Sequence, residues 1–184
     1  MTTPPDPHRR SLLLNAAALG LTQFLPPNTL GAEATPNGYV LAPGEGEHLI
    51  HFRDRGNIFI RVGAATGSPN LAVGTQQVMR GTGIPIHRHF KMDESFYVLE
   101  GNGILTLNDV SHSFVKDSTL YIPRNTWHGF SNPDSELLLL WIVTPAASLD
   151  SFFRETCSPP GAPPKNLSPA QIRQIALSHD TEFR

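Results

Sequence analysis

From Tyr39 onward the apolar residues come in short runs, and most of the runs alternate with polar positions. Residues 39–41 (YVL) predict a first short strand and residues 48–52 a second, closed by the turn Asp54-Arg55-Gly56. Residues 57–64 set Ile58, Ile60 and Val62 against Phe59, Arg61 and Gly63. A period of two puts one set on each face of a strand. Residues 71–80 form a longer strand. Residues 94–100 alternate again, with Glu94, Phe96 and Val98 on one face and Ser95, Tyr97 and Leu99 on the other. Further strands are expected over 103–107, 110–115, 118–122, 129–131 and 137–143. Turn residues separate them at Gly101-Asn102-Gly103, Asn108-Asp109, Lys116-Asp117 and Asn132-Pro133-Asp134. Many short strands at near-even spacing predict an all-β sandwich or barrel.

After Thr144-Pro145 the period changes. Residues 149–154 (LDSFFR) predict a short helix, with Phe152 or Phe153 packing on the barrel. Residues 158–164 are Pro-rich and read as extended. Ser168-Pro169-Ala170-Gln171 then carries the marks of a helix start: Ser as N-cap, Pro at the first helical position and Gln completing a capping box. Ile172, Ile175 and Ala176 give that helix an apolar stripe.

The composition supports this picture. Seventeen Pro and fifteen Gly in 184 residues suit a chain of strands and turns. The formal charge of −2 and the lack of a long basic run give no sign of a nucleic-acid surface. Cys157 is the only cysteine, so no intramolecular disulfide can form, and an unreactive thiol in a Pro-rich loop is the expectation.

The chemistry-bearing residues concentrate in two stretches. Residues 81–101 (GTGIPIHRHFKMDESFYVLEG) hold His87, His89 and Glu94, and residues 117–132 (DSTLYIPRNTWHGFSN) add His128. His87 and His89 are two apart, so on a strand both imidazoles face the same way. Residues 90–93 read as a turn, after which Glu94 shares a face with two large apolar residues. A buried carboxylate without a partner costs several kcal/mol, on the order of the penalty for any buried charge. A cation held with His87 and His89 removes that cost. Three imidazoles and one carboxylate are also the ligand mix of a divalent transition-metal site. The competing reading of the spacing is a surface turn with scattered His and Glu.

These stretches resemble the two cupin motifs. The first matches as Gly81, His87, His89, Glu94 and Gly101 without departure. The second matches at Pro123, His128 and Asn132, while Asp117 and Asn125 stand where the family has glycine. Both departures fall at turns, and Asp and Asn are the residues other than Gly that best tolerate positive φ. The resemblance implies a cupin jelly-roll barrel with short C-terminal helices. It also implies one divalent transition metal (Mn, Fe, Ni, Cu or Zn) on His87, His89, Glu94 and His128, with Glu94 doubling as a base on the substrate. The barrel followed by SLDSFFR, a Pro-rich link and a last helix is similar to bacterial single-domain cupins described as quercetin-dioxygenase-like. A homodimer paired through edge strands is a family expectation.

For the cavity wall, Gln77, Met79, Phe96, Phe130 and Trp141 are candidates, with Tyr121 beside them; for each aromatic a core role is equally open. Tyr97 is expected outside, and Phe130 on the inward face of His128. His48, His51 and His112 read as surface or edge-strand residues. Arg61, Arg80 and Lys116 read as solvent-facing, which leaves the strands short of inward charge and favours an apolar or aromatic ligand.

Residues 1–34 are expected to stand apart from the fold. Arg9-Arg10 precedes an apolar run to Leu25, which is shorter than the roughly 20 residues a membrane span needs. Pro26-Pro27 stops the run, and Ala32-Glu33-Ala34 offers an A-x-A cleavage site. The segment resembles a twin-arginine export signal. It predicts a periplasmic or secreted chain with no stable membrane insertion after cleavage, a barrel over 35–146 and a helical tail over 147–184. Three functions fit the expected site. They are a dioxygenase acting on an enol-bearing or aromatic small molecule, an O₂-independent isomerase, lyase or cyclase, and a non-catalytic small-molecule- or sugar-binding barrel.

Overall fold

The computed structural model describes residues 38–146 and 148–184; the expected export segment lies outside the described residues. Among the described residues, eleven strands run in chain order as β1 Glu47–Ile50, β2 Asn57–Val62, β3 Ala72–Val78, β4 Ile84–His89, β5 Asp93–Glu100, β6 Gly103–Leu107, β7 Val110–Phe114, β8 Thr119–Ile122, β9 His128–Ser131, β10 Leu137–Thr144 and β11 Thr181–Phe183. Two helices, α1 Leu149–Thr156 and α2 Pro169–Ser178, precede the last strand. One sheet has the order β1-β2-β3-β10-β5-β8 and the other β11-β4-β9-β6-β7. The all-β jelly roll with short C-terminal helices agrees with the pattern of the sequence.

The alternation translates directly into burial. In β5, Glu94, Phe96 and Val98 are buried while Tyr97 faces out and donates its hydroxyl to Asp117 at 3.0 Å. In β10, Leu137, Leu139, Trp141 and Val143 are buried at every second position. These residues meet Ile58, Ile60, Val78, Leu105, Phe114 and Phe130 in one core between the sheets. Phe130 stacks edge-on against Phe96 at 5.0 Å and against Phe114 at 5.8 Å.

Turns fall where the residue types allow them. Asp117 and Asn125 take φ of 69° and 63°, the left-handed conformation that Asp and Asn tolerate best after glycine. Gly74, in the middle of β3, is required for another reason. A Cβ there would stand 2.2 Å from the Phe59 carbonyl oxygen and from the Trp141 ring. Trp141 lies directly opposite Gly74 in the β3–β10 register, and its indole packs against the bare backbone there. Asn132, the last residue of the second motif, ties loops together. Its Nδ2 donates to the carbonyls of Met79 (3.1 Å) and Ser135 (2.8 Å), and its Oδ1 accepts from the Gly83 amide at 2.8 Å.

Three expectations need correction. Residues 39–41 form no strand. The Tyr39 hydroxyl instead donates to the Arg61 carbonyl at 2.6 Å, and Val40 is 94% exposed with no strand to pair with. The chain does not end in a helix: after α2, β11 pairs antiparallel with β4, placing Thr181 opposite His89 and Phe183 opposite His87. Three residues are too few to show a period, and this strand exists only because β4 offers its edge. Tyr121 is 59% exposed on the outer face of β8 and is no part of a cavity wall. The helix start at Ser168 is as expected, with the full capping box formed. Both Phe152 and Phe153 are buried beneath α1.

Candidate metal centre

The two sheets contribute unequally to one cluster. β4 carries His87 and His89 on its inner face, and its neighbour β9 brings His128 into register with His87. Glu94 comes from the opposite sheet, between β10 and β8. All four side chains are buried, and one donor atom from each lies within 4.8 Å of the others. The Glu94 carboxylate stands 3.0 Å from Nε2 of His128 and 3.3 Å from Nε2 of His89.

The far side of each imidazole is spoken for. Nδ1 of His87 lies 2.8 Å from the Pro85 carbonyl, and Nδ1 of His128 lies 2.9 Å from the Thr126 carbonyl. A carbonyl only accepts, so both Nδ1 atoms carry the proton. Nδ1 of His89 lies 3.0 Å from the Thr181 hydroxyl, which itself donates to the His179 carbonyl. In the neutral rings every Nε2 therefore presents a lone pair to the centre. Two of these lone pairs face the carboxylate at hydrogen-bond distance, and Nε2 of His89 is buried without a hydrogen-bond partner. Acceptors facing acceptors in a dry cluster require a proton or a cation between them. A proton settles one ring; a divalent ion settles all three. An outer carbonyl or hydroxyl behind each imidazole is also the usual support of metal-ligating histidines. The residues present fit a divalent transition ion.

The electrostatics agree. Burial drives the His87 pKa well below its ordinary 6.5, and the neighbouring His128 and His89 push it the same way. Burial alone would raise the Glu94 carboxyl, but His89 and His128 beside it outweigh this and hold it below the usual carboxylate range. A neutral imidazole at His87 and an ionised carboxylate at Glu94 are protonation states suited to binding a metal.

The cluster opens into a cavity between the sheets. Its apolar wall is Phe96, Trp141, Leu149, Phe152, Phe153 and Phe183, and its polar wall includes His51, Arg53 and Gln76. About 520 Å³ of space in it is free of atoms when the open mouth is included, and a water centre reaches about 50 Å³ of that.

Phe96 and Trp141 line this cavity as expected, but Gln77, Met79 and Phe130 do not. Gln77 points to the outer face of β3, where its Oε1 accepts from Asn57 Nδ2 at 2.6 Å and its Nε2 bonds Glu136. The inward residue is its neighbour Gln76, since a shift of one position reverses the face. Met79 lies beyond the end of β3, with its backbone bonded to Asp54 and Thr82. Phe130 is filled in on all sides by the aromatic core.

The sequence reading also missed residues that do line the cavity. His51, expected on the surface, is 2% exposed, and burial lowers its pKa. Arg53 lines the cavity as a cation, a residue that the expectation of few inward charges on the strands did not single out. Both sit in the turn after β1, where no alternation assigns a face. Thr181, Phe152, Phe153 and Phe183 come from the tail, and only the docking of α1 and β11 brings them here. His48 stacks on Phe59 and His112 is exposed, as expected of residues outside the site.

Comparison with known proteins places this architecture. Residues 74–144 match the family model described as "Cupin domain". An uncharacterized protein of Methanocaldococcus jannaschii is 33% identical over 70 residues, covering 35% of this chain and 56% of that protein. The chain thus spans about half the length of the curated relative it matches. An RmlC-like cupin from Shewanella frigidimarina superposes with a TM-score of 0.52 at 16% identity, over 60% of this chain and 95% of that one. The cupin domain of Schizosaccharomyces pombe Cnp3 gives 0.48 at 20% identity, over 64% and 80% of the respective chains. Residues 74–144 are thus similar to a cupin domain, and the jelly-roll fold is shared with a solved cupin.

Proposed function

We propose that His87, His89, Glu94 and His128 hold one divalent transition ion, and that the protein is a metal-dependent dioxygenase acting on a small enol-bearing or aromatic molecule, quercetin-dioxygenase-like in the broad sense. The observation that carries this reading is the buried cluster of three imidazoles and one carboxylate, with the Nδ1 side of each ring already bonded elsewhere. A bound ion would supply open coordination positions and Lewis acidity. The chain's own part is to hold the rings in one tautomer and to exclude water with an aromatic wall. Glu94 faces the cavity and is placed to take a proton from a substrate hydroxyl.

A second reading, an O₂-independent isomerase, lyase or cyclase, is favoured by one observation: Arg53 faces the cavity. Such chemistry uses a fixed cation to hold an enolate or carboxylate while the ion acts as a Lewis acid only. Export by a twin-arginine signal in residues 1–34 belongs to the same proposal. It would let the ion load in the cytoplasm, where copper and zinc compete less.

The test begins with elemental analysis of the exported protein. Near-stoichiometric Mn, Fe, Ni or Cu is expected, and His128→Ala should lose most of it while remaining folded. Full metal retention in that variant would remove His128 from the ligand set. O₂ uptake on a panel of small enols separates the two enzymatic readings: turnover that continues without O₂ favours the second.

A further inference from the structure

We infer that the cavity beside the metal centre takes a small organic carboxylate with an apolar or aromatic body, and that Arg53 is the group that binds its anionic end. The inference deepens the reading above by naming the ligand class of the same site.

The guanidinium of Arg53 is placed without enough acceptors. Its nearest carboxylate oxygen, Oδ2 of Asp54, is 3.6 Å away, beyond hydrogen-bond range. Asp54 is already committed. It accepts from the amides of Gly56 and Met79 and from the Thr82 hydroxyl, each at 3.2 Å, and it stands 3.2 Å from Nδ1 of His51. The Nε and Nη2 atoms of Arg53 are consequently buried with no hydrogen-bond partner. Nearly all buried polar groups in proteins are paired, so an orphaned pair of guanidinium donors calls for an acceptor from outside the chain. Nε and one Nη form the edge that binds a carboxylate in bidentate fashion.

The approach to Arg53 carries the same charge. A second hollow adjoins the cavity, and Phe52, Arg53 and Phe183 line both. Its other lining includes Arg173 on α2 and Arg184 after β11, set among Pro85, Pro169 and Ile172. Among the described residues, three arginines and no Asp or Glu line this vestibule. Arg184 is partly offset by its contact with Asp109 at 2.7 Å. A concave surface of one sign with apolar walls draws in ligands of the opposite sign. Beyond Arg53, the wall facing the metal ligands is aromatic: Phe96, Trp141, Phe152 and Phe153. Arg53 thus stands where the two hollows meet, and the first of them also holds the aromatic wall and the donor cluster.

The probes are benzoate and its neutral isostere benzamide, titrated calorimetrically into the full chain, metal-free and metal-loaded. Benzoate is expected to bind at least tenfold more tightly than benzamide in both forms, with an affinity that falls as salt rises. Arg53→Met should abolish that preference while leaving metal content and benzamide binding unchanged, and Arg53→Lys should restore part of it. Equal binding of the two probes by the wild-type chain, or no saturable binding of either, overturns the inference without reference to any variant. So does a preference for benzoate that survives Arg53→Met, or a phenyl phosphate that outcompetes benzoate. Because the metal-free chain is included, loss of the metal assignment and loss of the anion site give different results: the first leaves the preference intact.

Discussion

At the scale of the residue, the site depends on which ring nitrogen carries a proton. His87 and His128 are fixed by backbone carbonyls that come with their own strands and loops. His89 is fixed by a side chain more than ninety positions away, Thr181. Thr181→Val keeps the shape and removes the acceptor, so the His89 ring is free to turn and to adopt the other tautomer. Loss of such outer support typically costs 10–100-fold in metal affinity, and about that loss is expected here. Competition with a chelator measures it; an unchanged affinity would mean that packing alone orients His89.

At the scale of the element, the sheets are set by alternation but the cavity is set by exceptions to it. β3 has no side chain at Gly74, and Trp141 of β10 occupies the space. Gly74→Ala would drive a methyl group into the indole and into the Phe59 carbonyl. Overpacking of this kind costs about 1–3 kcal/mol, so a drop in thermal midpoint is expected with the metal ligands still in place. A variant that melts with the wild type would show that β3 and β10 can move apart freely. The tail is the other exception. α1 buries Phe152 and Phe153, and β11 adds a fifth strand to the sheet that carries the histidines. These elements supply the cavity's second wall, which the barrel strands alone do not.

At the scale of the whole molecule, several buried groups link stability to pH. His51 and His87 are held below the ordinary imidazole value of 6.5, in both cases first by burial. The unfolded chain therefore binds more protons than the folded one as pH falls below 6.5, and stability from these groups is full above that value and lost beneath it. Asp54 is also held low. Burial opposes this, but its hydrogen bond to His51 and the charges of His51 and Arg53 outweigh burial. Its contribution is present above its ordinary 3.8 and lost as pH falls further. The metal-free chain is thus expected to melt at a constant temperature above about pH 6.5, then at falling temperatures in two stages. Melting curves across a pH series check this; a flat profile from pH 7 to 5 would mean that these rings titrate alike in both states. Metal binding should steepen the acid limb, since protons and the ion compete for the same nitrogens.

The sequence by itself determined most of the strands along the chain, the faces of β2 and β5, the helix start at Ser168 and the four residues of the donor cluster. Each is a local property: a period of two, a capping pattern, or two short motifs whose spacing survives any packing. The tertiary structure alone decided what surrounds the cluster. Arg53 and His51 lie in a turn with no period, Thr181 and Phe183 in a strand too short to have one, and Gln76 rather than Gln77 faces inward by a register of one residue. Their roles arise from sheet pairing between segments far apart in the chain, where the free energy depends on the partner's surface rather than on the segment's own sequence.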